Sequence, residues 1–199
     1  MISVYKLKPK FQQLLNPILI LFRRIGISPN HITVFSVLFS VLIGYILWLA
    51  QENSLFYLFV ALGLLFRMML NALDGMMAKK YNLQSKTGEV LNEVGDILSD
   101  IAIYFPFIYF EGITLEYVIG FLLLSVINEF CGLLAKIISG ERRYDGPMGK
   151  SDRALLVGLI CIALFFSNSI LIYIDYLFII AIIMMLISSL LRLTKSIKR

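Results

Sequence analysis

The chain has 199 residues, of which 59% are hydrophobic, and it carries a formal net charge of +5. Its mean hydropathy of +0.86 lies far above that of water-soluble proteins, and its length allows a single domain. These values argue against a soluble helical protein, and we expect no nucleic-acid partner. Several apolar runs approach the roughly 20 residues that a helix needs to cross a bilayer. The predicted fold class is therefore all-α, a polytopic membrane protein with membrane lipids around it.

The N-terminal segment, residues 1–30, has apolar residues at helical spacing with basic residues around them. The apolar set is Phe11, Leu14, Leu15, Ile18 and Phe22, and the basic set is Lys8, Lys10, Arg23 and Arg24. This pattern predicts an N-terminal amphipathic helix that lies in the membrane interface. The alternative is a basic end that only directs membrane orientation.

Residues 31–199 are expected to form a membrane domain of six transmembrane helices. In chain order we expect them at about 31–50, 55–79, 88–110 and 115–138, followed by one that begins near 152 and one that ends near 193. The turn between the last two has two candidate positions, residues 167–169 and the neighbourhood of Asp175.

Charge placement gives this scheme an orientation. With six crossings, both termini share one side, and that side holds the basic loop residues Lys79, Lys80, Lys86, Arg142, Arg143, Lys150 and Arg153. The opposite loops contain Glu52, Glu111, Glu116 and Asp175 and no Lys or Arg. Because basic loops stay on the cytoplasmic side, we expect both termini and any site at the basic ends of the helices to be cytoplasmic.

Polar residues interrupt the second and third predicted helices at these basic ends. Each helical residue advances by about 100°, so Asn71, Asp74 and Gly75 share one face of the second helix. Asn92 and Asp96, four residues apart, share one face of the third. Their oxygens suit a hard divalent cation, and carboxylates at membrane depth usually have a function.

Only residues 80–87 separate these two helices. We therefore expect them to be antiparallel neighbours whose polar faces meet. Gly75 and Gly88 leave room for a ligand at that meeting point, and Lys79 at the helix end can reach a phosphate.

The two segments resemble the signature of the CDP-alcohol phosphotransferase family, D-x-x-D-G-x-x-A-R, eight or nine residues, then G-x-x-x-D-x-x-x-D. The matching positions are Asp74, Gly75, Ala78, Gly88 and Asp96, and the gap of eight residues matches as well. Residues 28–33, Ser-Pro-Asn-His-Ile-Thr, are similar to the family's Pro-Asn-x-x-Thr segment. In three places the chain departs from the pattern: Asn71 and Asn92 replace the first and third Asp, and Lys79 replaces the Arg.

The resemblance implies a membrane transferase of phospholipid biosynthesis. Such an enzyme moves a phosphatidyl group from a CDP-linked lipid, with CDP-diacylglycerol as the first candidate, to an alcohol acceptor and releases CMP. The resemblance also implies two bound ions of Mg²⁺ or Mn²⁺, a homodimer as the candidate assembly, and a bacterial inner membrane as the location.

Residue roles follow from the same resemblance. Metal ligands would be Asn71, Asp74, Asn92 and Asp96, with Asp96 also the catalytic base. CDP-binding residues would be Thr33, Asp74, Gly75, Ala78, Lys79 and Gly88. An Asn carbonyl can bind a hard ion, but each Asn removes one negative charge, so we expect weaker metal binding than in a four-Asp site.

Other charged residues leave alternatives open. Lys150 and Arg153, beside a turn and a helix N-terminus, are candidates for binding an acceptor phosphate. Glu93 and Glu89 are further candidates to supply the charge that Asn92 lacks, with a place at the water interface near the helix start as the alternative for Glu89. Asp100 is expected to pair with Arg67. The role of Glu129 stays open. Two other functions also remain, a catalytically weak family member that binds CDP-lipid or metal, and a small transporter.

Overall fold

In a computed structural model of the chain, the backbone is described for residues 8–198 and the side chains for residues 12–198. All regular structure in this part of the chain is helical, which confirms the all-α fold class. The α-helices are α1 (Lys8–Arg24), α2 (Pro29–Leu49), α3 (Leu55–Lys80), α4 (Lys86–Tyr104), α5 (Leu115–Ser139), α6 (Lys150–Phe166) and α7 (Leu171–Ile197). Short 3-10 helices, Phe105–Tyr109 and Asn168–Ile170, follow α4 and α6.

The helix boundaries follow the sequence prediction with one exception. The third predicted helix, 88–110, is divided into α4 and a 3-10 helix, because Pro106 lacks the N–H that would continue the α-helical hydrogen bonds. The turn before α7 lies at Ser167, whose side chain accepts a hydrogen bond from the Ser169 N–H. Asp175, the other candidate position for that turn, lies inside α7.

Four stretches of the described chain are long and apolar enough to cross a membrane. They are Pro29–Leu49, Leu55–Lys80, Leu115–Ser139 and Asn168–Ile197. Helices α4 and α6 do not belong to this set, since α4 carries acidic residues along its length and α6 has only 17 residues. Six crossings therefore stay a prediction.

The packing of the helices differs from the prediction in one respect that matters for the site. Helix α2 packs along both α3 and α4, while α3 and α4 have almost no direct backbone contact among the described residues. The two helices contact each other through side chains, such as Arg67 and Asp100, and not backbone to backbone. Helix α2 can lie this close because Gly44 faces α4, where a Cβ would collide with the carbonyl oxygen of Ala102. Gly95 on α4 is similarly close, with its Cβ position 2.9 Å from a methyl group of Val37.

Helix α1 packs through one face. Leu15 and Leu19 are buried in a cluster with Leu70, Leu73 and Met77 of α3, whereas Leu14 is 77% exposed. Leu14 belongs to the predicted apolar set and Leu19 does not, so the amphipathic character of this helix stays a prediction. The location of α1 in a membrane interface, and residues 1–30 as a separate segment, stay predictions.

Candidate active site

Residues from four helices meet toward one end of the bundle. The Thr33 hydroxyl, near the start of α2, lies 3.0 Å from the Asp74 carboxylate near the end of α3. Lys150, the first residue of α6, forms an ion pair with Asp96 near the middle of α4. Helix α2 therefore connects the two halves of the motif from between them, and α6 closes the group.

Asp74 is a buried carboxylate, 5% exposed, on the last turns of α3. Its Oδ2 accepts a hydrogen bond from Thr33, whose hydroxyl is also 3.1 Å from the carbonyl oxygen of Pro29. No salt bridge reaches Asp74 from any described residue, although the charges of Lys150 and Asp96 are close enough to act on it. A buried carboxylate without a direct cationic partner suits a metal ligand.

Asn71 lies one turn before Asp74 on the same face of α3. Its Oδ1 accepts a hydrogen bond of 2.9 Å from Ser36 of α2, which is buried. Ser36 has no place in the sequence prediction. The available signal was the spacing of Thr33, Ser36 and Ser40, three hydroxyl residues on one face of an otherwise apolar helix.

The predicted catalytic base, Asp96, forms an ion pair with Lys150, one of the two residues predicted to bind the acceptor. Asp96 and Lys150 pair directly, and their side chains are 13% and 21% exposed. Lys150 begins α6 where the Asp152 carboxylate caps the Gly149 N–H at 2.9 Å. The Asp96 carboxylate is therefore neutralised by a fixed lysine at the margin of the site.

The predicted nucleotide-binding residues divide into two groups. Gly75 and Lys79 line an open groove of about 450 Å³ between α1 and α3, and Asn71 borders it. Around the Cβ position of Gly75 there is free space, so a ligand can approach the α3 backbone there. Ala78, on the same turn of α3, is half-buried and lies outside the set of groove residues.

Gly88 and Asn92, on the first turns of α4, lie outside this groove as well. The Cβ position of Gly88 is 2.8 Å from Asn30 Oδ1 at the start of α2, so a larger residue there would have to displace the Asn30 side chain. A nucleotide-binding role for Gly88 stays a prediction.

The candidate metal site has fewer than four carboxylate ligands. Among the described residues, no group of three or more His, Cys, Asp or Glu side chains could hold a metal ion. The cause is visible in the sequence, since Asn71 and Asn92 leave only Asp74 and Asp96 as acids. Two carboxylates and two amide oxygens still have the hard-ligand chemistry that Mg²⁺ and Mn²⁺ prefer.

A chain of buried ion pairs lies beneath the site. Arg67 pairs with Asp100 at 2.9 Å, which confirms the expected ion pair. Arg153 reaches the same Asp100 at 2.7 Å and Glu129 at 2.9 Å. The open question about Glu129 is thus answered, since it joins this network.

The network has consequences for two predicted roles. Arg153 is fully buried and pairs with two carboxylates, so its guanidinium group is already occupied. Acceptor binding by Arg153 stays a prediction, and these contacts do not favour it. Arg142 pairs with Glu129 at 2.7 Å and also with Glu93, so a metal ion would compete with Arg142 for Glu93. Glu89 pairs with Lys136 at the surface, in keeping with its expected place near the helix start.

The loop between α5 and α6 is fastened to α7 through Asp145. Its carboxylate accepts hydrogen bonds from Lys195 at 2.5 Å and Arg143 at 3.4 Å, and these basic partners hold the pKa of Asp145 below its usual range. Its carbonyl oxygen accepts from Ser188 and from Arg192. Arg192 is buried without a carboxylate partner among the described residues, and nothing in the sequence pointed to it beyond its position near the end of an apolar helix.

The sequence is similar to those of known proteins. A family model described as CDP-alcohol phosphatidyltransferase matches residues 26–193. The Escherichia coli inner membrane protein YnbA is 46% identical over 157 residues, which cover 79% of this chain and 78% of that protein. The archaetidylinositol phosphate synthase of Pyrococcus horikoshii is 35% identical over 100 residues, which cover 50% of each chain.

Solved structures share the fold. The Mycobacterium tuberculosis phosphatidylinositol phosphate synthase with CDP-DAG bound has a TM-score of 0.74 at 20% identity, covering 92% of this chain and 94% of that one. The same synthase in complex with manganese and citrate has a TM-score of 0.73 at 21% identity, covering 90% of this chain and 87% of that one.

Proposed function

The chain belongs to the CDP-alcohol phosphatidyltransferase family, and on that premise we propose that it transfers the phosphatidyl group of CDP-diacylglycerol to an alcohol and releases CMP. The observation that carries this proposal is the meeting of Asp74 and Asp96 at one end of the bundle, where Thr33 and Lys150 contact them. CDP-diacylglycerol as the donor is supported by its presence in the structurally similar synthase.

In the proposed reaction, Asp96 accepts the proton of the acceptor hydroxyl while that oxygen attacks the phosphorus of the phosphatidyl group. A new P–O bond forms to the acceptor, and the P–O bond to CMP breaks. Asp96 must give up its pairing with Lys150 as it takes the proton, so the two side chains work as a unit. On the donor side, Gly75 and Lys79 border the groove in which we expect the CDP group.

Divalent metal is part of the proposal. Asn71, Asp74, Asn92 and Asp96 would hold Mg²⁺ or Mn²⁺, and bound metal would supply positive charge to the pyrophosphate and the departing CMP. The hard-ligand character of these oxygens supports the assignment. So does the manganese complex of the similar synthase.

The membrane setting is also proposed. We expect α2 to α7 to cross the membrane six times, with α1 in the interface and the site at the cytoplasmic face. Support comes from the basic residues at the site end of the bundle and from the relative named as an inner membrane protein. A bacterial inner membrane and a homodimer complete this proposal.

The test is CMP release by the purified protein. It is incubated with CDP-diacylglycerol, Mg²⁺ or Mn²⁺ and a panel of acceptors, and the lipid product is identified by mass. Inositol phosphate heads the panel because two relatives are named as synthases of inositol phosphate lipids. Glycerol 3-phosphate, a sugar alcohol and a second lipid complete it.

Asp96→Asn should reduce CMP release by at least about 100-fold, because general bases contribute about 10²–10⁴. Glu111→Gln, in the turn before α5 at the other end of the bundle, is the control and should keep full activity. Equal activity of the two variants would reject Asp96 as the base.

A second candidate function is favoured by one observation, the two Asn residues that leave two acids in the site. The chain would then bind CDP-lipid or metal with little turnover. The double variant Asn71→Asp, Asn92→Asp separates the candidates. If the natural chain releases no CMP with any acceptor and the double variant does, the binding function replaces the enzyme.

A further inference from the structure

The charge of the candidate site does not suit two divalent cations. A site of four carboxylates carries four negative charges, which balance two such ions. Here Asn71 and Asn92 are neutral, and Lys150 pairs with one of the two remaining acids. Asp74, Asp96 and Lys150 together leave a single net negative charge.

Nearby carboxylates do not supply the negative charge that a second divalent cation would need. Glu93 pairs with Arg142, Asp100 pairs with two arginines, and Glu129 joins the same network. Each of these carboxylates is thus already balanced by buried or half-buried guanidinium groups. Recruiting one of them to a second cation would leave an arginine without its partner at a depth where unpaired charge is expensive.

Lys150 is held in position by its own helix. The Asp152 carboxylate caps the Gly149 N–H and fixes the first turn of α6. Arg153, three residues later, is anchored by Asp100 and Glu129 and is fully buried. Because residues three apart lie on the same face of a helix, this anchor keeps the Lys150 side chain directed toward Asp96.

We propose that the site binds one divalent cation, on the Asp74 and Asn71 side, and that the Lys150 ammonium supplies the second positive charge, on the Asp96 side. The inference rests on the proposed function and deepens it. It also gives Lys150 a role other than the acceptor-phosphate contact that the sequence predicts. Ser36 supports the arrangement, since its hydrogen bond orients the Asn71 amide beside Asp74.

The test counts bound ions rather than turnover. Mn²⁺ is titrated into the purified protein and its binding is followed by electron paramagnetic resonance, which also distinguishes an isolated Mn²⁺ from a coupled pair. The natural chain should bind one uncoupled Mn²⁺. The triple variant Asn71→Asp, Asn92→Asp, Lys150→Ala should bind two that are magnetically coupled.

Lys150→Ala alone should tighten Mn²⁺ binding by about tenfold, because a positive charge near the ion is removed. Lys136→Ala is the matched control, since Lys136 pairs with Glu89 at the surface, and it should leave Mn²⁺ binding unchanged. Melting temperatures of all variants show whether each is folded.

Two coupled ions in the natural chain would overturn the inference, and so would the absence of any bound Mn²⁺. An unchanged Mn²⁺ affinity in Lys150→Ala, together with a raised acceptor KM, would return Lys150 to acceptor binding and overturn it as well. CMP release is measured on the same samples. One bound ion without CMP release would reject the proposed function alone, whereas CMP release with two bound ions would reject this inference alone.

Discussion

At the scale of single residues, buried hydroxyls on α2 orient the oxygens that the motif supplies. Thr33 contacts Asp74 and Ser36 contacts Asn71, and of these side chains Thr33, Ser36 and Asp74 are buried while Asn71 is half-buried. A hydrogen bond to a charged group in such a place contributes about 1.5–3 kcal/mol. The hydroxyls therefore fix the direction of two candidate metal ligands before any ion arrives.

Thr33→Val tests this orientation with little change of shape. Loss of the hydroxyl leaves Asp74 without that donor, so we expect CMP release to fall about 10- to 100-fold, in keeping with the energy of one such hydrogen bond. The measurement is kcat/KM for CDP-diacylglycerol. Thr33→Ser keeps the hydroxyl and should retain most of the activity. Full activity in Thr33→Val, or a larger loss in Thr33→Ser than in Thr33→Val, would contradict this role of the hydroxyl.

At the scale of elements, the site depends on how closely α2 approaches α4. The two backbones touch at Gly44, opposite the carbonyl oxygen of Ala102, and this contact positions α4 with Asn92 and Asp96. The same close approach separates α4 from α3. Helix α2 therefore helps to bring the two halves of the motif together, alongside the ion pairs that Asp100 forms with Arg67 and Arg153.

Gly44→Ala should damage both stability and activity. The added methyl group would collide with backbone that cannot rotate away, so we expect a loss of about 1–3 kcal/mol in the free energy of unfolding, as for other overpacked positions. Thermal unfolding in detergent measures it. Gly158→Ala on α6 is the control, because its nearest new contact is an ordinary 3.9 Å to Leu64, and helix propensity there favours Ala. A melting temperature in Gly44→Ala at or above that of Gly158→Ala would contradict the packing argument.

Sequence periodicity predicted the elements well and their arrangement less well. The positions of Asn71, Asp74 and Asp96 on their helix faces followed from the rotation per residue, and the structure places them at one end of the bundle. The short loop at 80–87 favoured direct contact between α3 and α4, but loop length sets only a maximum separation. Helix α2 packs against both helices and approaches the α4 backbone closely at Gly44, and a hydropathy pattern carries no information about such a contact.

At the scale of the whole molecule, buried ion pairs join four helices below the site. Arg67 on α3 contacts Asp100 on α4, which contacts Arg153 on α6, which contacts Glu129 on α5. The first pair could be predicted, since both residues lie at similar depth on adjacent segments. The others could not, because their partners come from elements whose relative position is set by long-range packing.

Asp100→Asn should weaken the whole bundle, since it leaves Arg67 and Arg153 buried with one carboxylate fewer. Removing one member of a buried ion pair typically costs about 3–5 kcal/mol, so we expect a large fall in the melting temperature. Thermal unfolding in lipid bicelles measures the change. Glu89→Gln is the matched control, because the Glu89 and Lys136 side chains are 47% and 38% exposed, and exposed pairs contribute only about 0–1 kcal/mol. Equal melting temperatures for the two variants would mean that the buried network orients side chains around the site without stabilising the fold.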